Sequence, residues 1–389
     1  VFIQAVGWGI GNSFGVFFNP LIQEFSWSRA GLSGAVSLGF LISGIASMGL
    51  GSLNDRFGPR IIMSLCGVFM GMGYLLLARL DSLWQLYLFF GLMVSAGMGG
   101  VDVIPLSTVS RWFEKKRGMM TGLVKVGTGL GMTIMPFFIN WLLGGYGWRK
   151  SFMVLGILIM VSVVCLSWFL VRDPELKGQN RDNRTGPGTL GNRVLETGLS
   201  FGKAVGTRQF WTICLIYFII LFCVYTIIMH IVQHAIDLGI DPSVAAGVLS
   251  TLGGVSIAGR LIMGGAGDRI GEKKALLICL SCLLAALAWL QLVNSLWMFY
   301  LFAVLYGFAH GGFFSLVSPL IARFFGTLAH GLLFGVVIFS STLGGAIGPL
   351  LAGYIFDLFS SYKPVFLILA LISCLAMGLA ATLKPVARP

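Results

Sequence analysis

The chain reads as long apolar runs broken by short polar ones. Crossing a hydrocarbon layer of roughly 30 Å as a helix takes about 20 apolar residues. Twelve such runs lie near 1–24, 31–53, 61–78, 83–110, 118–143, 150–171, 209–236, 244–267, 275–293, 297–322, 331–356 and 364–383. They are too long for barrel strands and lack the alternation of outward apolar and inward polar residues. Helices, which satisfy every backbone amide internally, are therefore the predicted elements. One long polar stretch, Arg172 to Arg208, is rich in Gly, Asn, Thr and mixed charge and reads as a flexible linker. The pattern predicts an all-α membrane protein of twelve transmembrane helices in two six-helix bundles, 1–171 and 209–389, joined by the 172–208 linker.

The two halves are copies of one another. GSLNDRFGPR at 51–60 returns 213 residues later as GGAGDRIGEK at 264–273, and the same offset carries RGMMTGLVKVGTGLGMTIMP (117–136) onto HGLLFGVVIFSSTLGGAIGP (330–349). Pseudo-symmetry between the bundles follows. Where the duplication fails is more informative: Asp102, Lys125 and Arg260 face Ser315, Ile338 and Ser47 in the other copy. Those three charges are not demanded by the shared scaffold.

Composition agrees with a lipid solvent. With 57% hydrophobic residues, 10% charged residues and a mean hydropathy of +0.92, the chain cannot be arranged as a soluble globule with a polar surface. With the first loop placed outside, the inner segments hold 19 of the 26 lysines and arginines, which puts both termini in the cytoplasm. The net charge of +12 is then mostly a topology signal rather than a nucleic-acid footprint. The chain opens on Val1 inside an apolar run, so a further amino-terminal segment is expected upstream, and nothing resembles a cleavable signal. The sequon at Asn183 falls on the cytoplasmic side and reads as a chance match. Seven cysteines within apolar spans, including the C-x-x-C at Cys279 and Cys282, read as packing rather than a redox centre or disulfide framework. Gly127-Thr-Gly129-Leu-Gly131 follows no strand and is no nucleotide loop; Gly118, Gly122, Gly127 and Gly131 instead mark close helix contacts. Pro105, Pro136, Pro319 and Pro349 can bend spans whose freed carbonyls find partners on neighbouring helices or water. No metal cluster, cofactor motif or nucleophile with its base is present, so neither a metal, a cofactor nor an enzyme is expected.

Two six-span halves, each with a G-x-x-x-D-R-x-G loop after its second span, resemble the major facilitator superfamily. The copies are Gly51, Asp55, Arg56, Gly58 and Gly264, Asp268, Arg269, Gly271. An acid beside a base at a helix end can lock to neighbouring helix ends in one conformation and release in another, so both loops read as gating latches. Within the superfamily, Trp112-Phe113-Glu114-Lys115-Lys116-Arg117, then Gly122, Gly127-Thr128 and Gly131, is similar to the fifth-span signature of the monocarboxylate transporters. Met119 and Met120 replace that signature's Leu-Ala, and Trp112 its tyrosine. Gly15-Val16-Phe17-Phe18 with Glu24-Phe25-Ser26-Trp27-Ser28-Arg29 looks like the first outer loop of bacterial relatives.

Depth joins the unmatched charges. Asp102 lies nine residues inside Arg111, Lys125 eight inside Arg117 and Arg260 eight inside Asp268, about 12 to 14 Å from the inner boundary at ~1.5 Å per residue. A charge near the midplane costs several kcal/mol unless it faces water or a partner, and transporters of this build bind substrate at that depth. Arg260 can hold a carboxylate by two parallel hydrogen bonds. The resemblance also aligns it with the eighth-span arginine that the family uses for substrate. Two departures bear on proton coupling: Ser256 stands where family members commonly carry an aspartate, and Asn12 where some animal members carry a lysine. Asp102 with Lys125 is expected to supply the titrating element instead; the competing reading is a permanent helix-to-helix ion pair. His230, Asn12, Tyr306, His310 and Phe314 complete the expected substrate-binding set, and a packing role for His310 stays open.

The resemblance implies proton-coupled transport of a small monocarboxylate such as lactate or pyruvate through a bacterial inner membrane. An anion exchanger of the oxalate and formate type is the alternative, with Lys125 as its second cation. A non-transporting receptor is disfavoured by loops too short for a signalling domain.

Overall fold

The computed structural model describes residues 1–27, 29–113, 116–172 and 198–384. The core of the linker with its Asn183 sequon, and Glu114 and Lys115 of the fifth-span motif, lie outside the described residues. The described chain is helical, apart from an isolated bridge between Gly198 and Gly326. The helices are α1 (Phe2–Asn12), α2 (Phe18–Phe25), α3 (Arg29–Phe57), α4 (Pro59–Leu77), α5 (Leu83–Leu86), α6 (Ser95–Trp112) and α7 (Arg117–Ser167). They continue as α8 (Phe201–Val205), α9 (Arg208–Asp237), α10 (Pro242–Ile270), α11 (Glu272–Leu290), α12 (Leu296–Phe325), α13 (His330–Phe359) and α14 (Lys363–Thr382).

Among the described residues, ten helical stretches are long and apolar enough to cross a membrane. The twelve expected spans are recovered by two local features. α7 is two spans run together across Gly147, whose φ of 73° breaks the helix, and the first span is divided into α1, a 3-10 turn over Ser13–Phe17, and α2. The fourth span is continuous from Leu83 to Trp112 through a π-helical stretch at Tyr87–Val94. At the end of the first span, Glu24 accepts hydrogen bonds from the Trp148 indole and the Arg149 guanidinium, which ties the first outer loop motif to the Gly147 turn.

The chain forms two compact units. The first is drawn from Val1–Glu114, Val124–Thr197 and Thr327–Phe339, and the second from Lys115–Leu123, Gly198–Gly326 and Ser340–Pro389. Each unit thus incorporates the start of one helix from the opposite half of the sequence. In the first, aromatic rings fill the core: Phe14 stacks on Phe90 and Phe17 on Phe152, both at 4.0 Å between centroids. Tyr74 packs against Phe90 and Phe152. In the second, α10, α11 and α12 pack closely, with Phe299, Phe302, Tyr306, Phe313 and Phe325 buried. Phe137, Phe169 and Leu350 project outward, as expected where the solvent is hydrocarbon.

Burial of apolar surface gives helices in lipid little drive to associate, so close backbone approach carries the packing. The duplicated glycines provide it, twice, with the same geometry. A Cβ at Gly118 would collide with the Gly264 carbonyl and one at Gly331 with the Gly51 carbonyl; a Cβ at Gly122 would strike the Arg260 carbonyl, and one at Gly335 the Ser47 carbonyl. Each pair of contacts is related by the offset of 213 residues. The loop glycines repeat as well: Gly58 (φ 86°) and Gly271 (φ 91°) adopt the left-handed backbone that turns the chain into α4 and α11.

Gly122→Val forces a side chain against an immovable carbonyl, so it should lower stability by about 1–3 kcal/mol. Gly378→Ala, with nothing within 4 Å of the new Cβ, should be neutral or stabilising by up to ~1 kcal/mol. Thermal unfolding of both variants in detergent checks the contrast.

Candidate functional site

Asp102 and Lys125, expected to pair, do so. Lys125 Nζ donates to Asp102 Oδ1 at 2.7 Å, with the two side chains 4% and 10% exposed. Two residues not singled out from the sequence complete the cluster: Gln4 Nε2 and Trp8 Nε1, one turn apart on α1, each donate to the same Oδ1 at 2.9 Å. Gln4 is fixed from both ends, since its amide nitrogen also donates to the Val101 carbonyl at 2.7 Å and its oxygen accepts from Thr128 Oγ1 at 2.7 Å. Val101 lies four residues before Pro105, so its carbonyl has lost its helical partner to the proline ring. Gln4 replaces that missing N–H. Lys125 also lies 5.8 Å from the centre of the Trp8 ring. All of these residues belong to the first unit.

Arg260 lies in the second unit, near the middle of α10, and is 3% exposed. Its backbone is wedged between two glycine contacts, since Gly122 approaches its carbonyl and Gly311 its amide. The position one turn earlier, where an acid was expected from the resemblance, holds Ser256, whose hydroxyl turns back to the Gly253 carbonyl at 2.7 Å. On α12, Tyr306 is buried and donates to the Cys223 carbonyl at 3.3 Å. His310 is buried one turn later and meets Phe314 edge-on at 5.1 Å.

His230 sits among α9, α13 and the start of α14. Its Nε2 is 3.1 Å from the Pro349 carbonyl and its Nδ1 3.1 Å from the Tyr362 hydroxyl. A carbonyl can only accept, so in the neutral ring Nε2 carries the proton and Tyr362 donates to Nδ1. His234, one turn on, packs on the same Tyr362 ring. Asn12 is exposed at the end of α1 and donates to the Trp8 carbonyl at 2.9 Å.

Both loop acids act at helix N-termini. Asp55 accepts from the backbone amides of Gly331 and Leu332 at 3.2 and 3.1 Å, and Asp268 from those of Gly118 and Met119 at 2.6 and 2.8 Å. The amides at a helix start are unsatisfied within the helix and lie at the positive end of its dipole, so each carboxylate meets both needs. Asp55 gains a further partner in Arg111 at 2.8 Å, a guanidinium that is 2% exposed. The equivalent residue in the other copy is Phe324. Arg56 and Arg269 are exposed beside their acids.

Two six-helix runs, a repeated D-R-x-G loop and its repeated cap at a helix start agree with the relatives of the chain. The profile described as Major Facilitator Superfamily matches residues 1–264 and again 213–389. The chain belongs to the major facilitator superfamily. It is 28% identical to monocarboxylate transporter 13 of Bos taurus, across 98% of this chain and 87% of that protein. It is 27% identical to the oxalate:formate antiporter of Oxalobacter formigenes, across 97% and 88%. In fold it matches a crystal structure of the Escherichia coli fucose:proton symporter FucP, with a TM-score of 0.74, 14% identity and coverage of 98% and 97%. These relatives are transporters, and this chain is a membrane transporter rather than an enzyme.

Gln4, Trp8 and Arg111 were detectable in outline. An amide and an indole four residues apart in an apolar span lie on one helix face, and a proline eleven residues into α6 leaves a carbonyl to be met. Nothing in the sequence says that these two signals meet. Arg111→Met leaves the Asp55 carboxylate without its guanidinium and should cost on the order of 3 kcal/mol. Arg111→Met with Asp55→Asn should recover part of that loss, as read by denaturation of the purified transporter.

Proposed function

We propose that this transporter carries a small organic monocarboxylate together with a proton, by alternating access, with Arg260 as the group that grips the anion. The observation that carries this reading is a guanidinium, 3% exposed, in the middle of an apolar span where the duplicated copy has only Ser47. An arginine stays charged and offers a planar fork matched to a carboxylate. Its cost in lipid is sustained where it serves a substrate. The nearly full-length likeness to a protein named monocarboxylate transporter 13 supports the substrate class. His230, Asn12, Tyr306, His310 and Phe314 are the further lining candidates, with Asp55, Arg56, Asp268 and Arg269 in gating. Asp102 with Lys125 is the titrating element: a proton on Asp102 weakens its hold on Lys125 and leaves a net positive charge that favours anion entry, so proton and anion support each other's binding. The positive residues of the loops support both termini on the inner face of a bacterial plasma membrane.

A second reading, exchange of organic anions, is favoured by the likeness to the oxalate:formate antiporter. It needs a second cation for the second carboxylate. The close Asp102–Lys125 pair, at 2.7 Å, weighs against Lys125 in that role. Counterflow of labelled oxalate against labelled lactate separates the two.

In liposomes holding the purified protein, labelled lactate should accumulate with an inward proton gradient and fail to accumulate without one. Arg260→Lys keeps the charge and loses the fork, so kcat/KM should fall about 10- to 100-fold, the worth of a charge-assisted hydrogen bond. Unimpaired uptake would remove Arg260 from the anion site. A proton and a monoanion carry no net charge together, so uptake should raise no steady current at imposed voltage; a robust lactate-dependent current would contradict symport.

A further inference from the structure

We propose that Gln4 and Trp8 are positioning residues for the coupling proton: by saturating one oxygen of Asp102 they direct the proton to the other and set the pH at which transport responds. The proposal rests on the reading of Asp102 as the titrating group.

Three N–H donors, from Gln4, Trp8 and Lys125, converge on Oδ1 at 2.9, 2.9 and 2.7 Å. Oδ2 accepts no hydrogen bond from the described residues, in a side chain that is 10% exposed. A carboxylate oxygen has about two lone-pair directions in its plane, and Oδ1 with three donors has none left for a proton. Oδ2 is the open seat. The step is a simple one: a proton from water bonds to Oδ2, the carboxylate becomes a neutral acid, and the Asp102–Lys125 pair passes from net zero to net positive.

The donors do more than select the oxygen. A hydrogen bond from an N–H is stronger to a carboxylate than to a neutral acid, so each donor on Oδ1 is weakened when Oδ2 takes the proton. Gln4 can be held to this task because its amide orientation is dictated by chemistry. The Val101 carbonyl and the Asp102 carboxylate both require a donor, and the Thr128 hydroxyl supplies the donor that the amide oxygen requires. Pro105 is what frees the Val101 carbonyl, so the proline in α6 and the proton site share one side chain. Among the described residues packed on this part of α6, Lys125 is the charged group. α1 presents Gln4 and Trp8, α3 presents the Ser43 carbonyl, the Ser47 amide and the Ala46 methyl beside Gly99, and α4 presents the Cys66 thiol beside Gly100.

The test is the initial rate of labelled lactate uptake into liposomes across a series of external pH values. It compares the native protein, Trp8→Phe, Gln4→Leu, Thr128→Val and Asp102→Asn, each monodisperse in detergent before reconstitution. Trp8→Phe and Gln4→Leu each remove one charge-assisted donor, so the pH of half-maximal uptake should move up by about one unit. Thr128→Val, which only loosens the Gln4 amide, should move it the same way by less. Should Trp8→Phe fail to fold, Gln4→Leu and Thr128→Val decide. If these profiles overlay the native one while Asp102→Asn loses its response to pH, the positioning role is overturned and Asp102 as titrating group stands. If Asp102→Asn keeps the native response, the titrating role falls and the positioning proposal with it.

Discussion

A hydrocarbon solvent offers no hydrogen bonds, so every charge and every freed backbone group in this transporter must be answered by the protein itself. The Asp102 cluster is where that demand is most severe and most fully met. One carboxylate oxygen gathers an ammonium, an indole and an amide, and the amide also serves a carbonyl orphaned by Pro105. Removing any member would leave another unanswered, which binds α1, α6 and the third turn of α7 into a single polar knot inside an apolar unit.

Duplication explains the frame on which this sits. Glycine contacts and the acid caps recur at the same offset, so the scaffold was built once and used twice. Specialisation is visible as departures from that scaffold. Gly335 touches the carbonyl of Ser47, and Gly122 touches the carbonyl of Arg260: one contact, in one copy plain and in the other carrying the guanidinium. The caps diverge too, because Asp55 has the buried Arg111 and Asp268 has Phe324 at the matching place. The two caps thus share their backbone donors and differ in the side chain at this one matched position.

Much of the fold was legible in the residue pattern, since lipid imposes a length and a polarity on each span that hydropathy records directly. The breaks within spans were not. The 3-10 turn at Ser13–Phe17 lies among packed rings of Phe14 and Phe17 that a one-dimensional pattern does not carry, whereas the break at Gly147 falls between the runs 118–143 and 150–171, where hydropathy put it. The Asp102–Lys125 pairing was legible from depth alone, because two opposite charges level on consecutive spans have few other partners. Gln4 and Trp8 escaped because an amide and an indole in an apolar run look like incidental polarity until the carbonyl across from them is known. His230 was legible as an unusual residue, but its two partners come from α13 and α14, far along the chain.

The contact of Gly122 with Arg260 has a mechanical meaning. The first turns of α7 rest on α10 along a stripe that runs from the Asp268 cap, through Gly118 against Gly264, to Gly122 against Arg260. Eight residues of rigid helix, about 12 Å, separate the cap from the guanidinium. Without side chains between them the two backbones touch directly, so neither helix can be displaced toward the other along this stripe without a backbone collision. A displacement of the α10 backbone at Arg260 and one at the Asp268 carboxylate are then two readings of one movement.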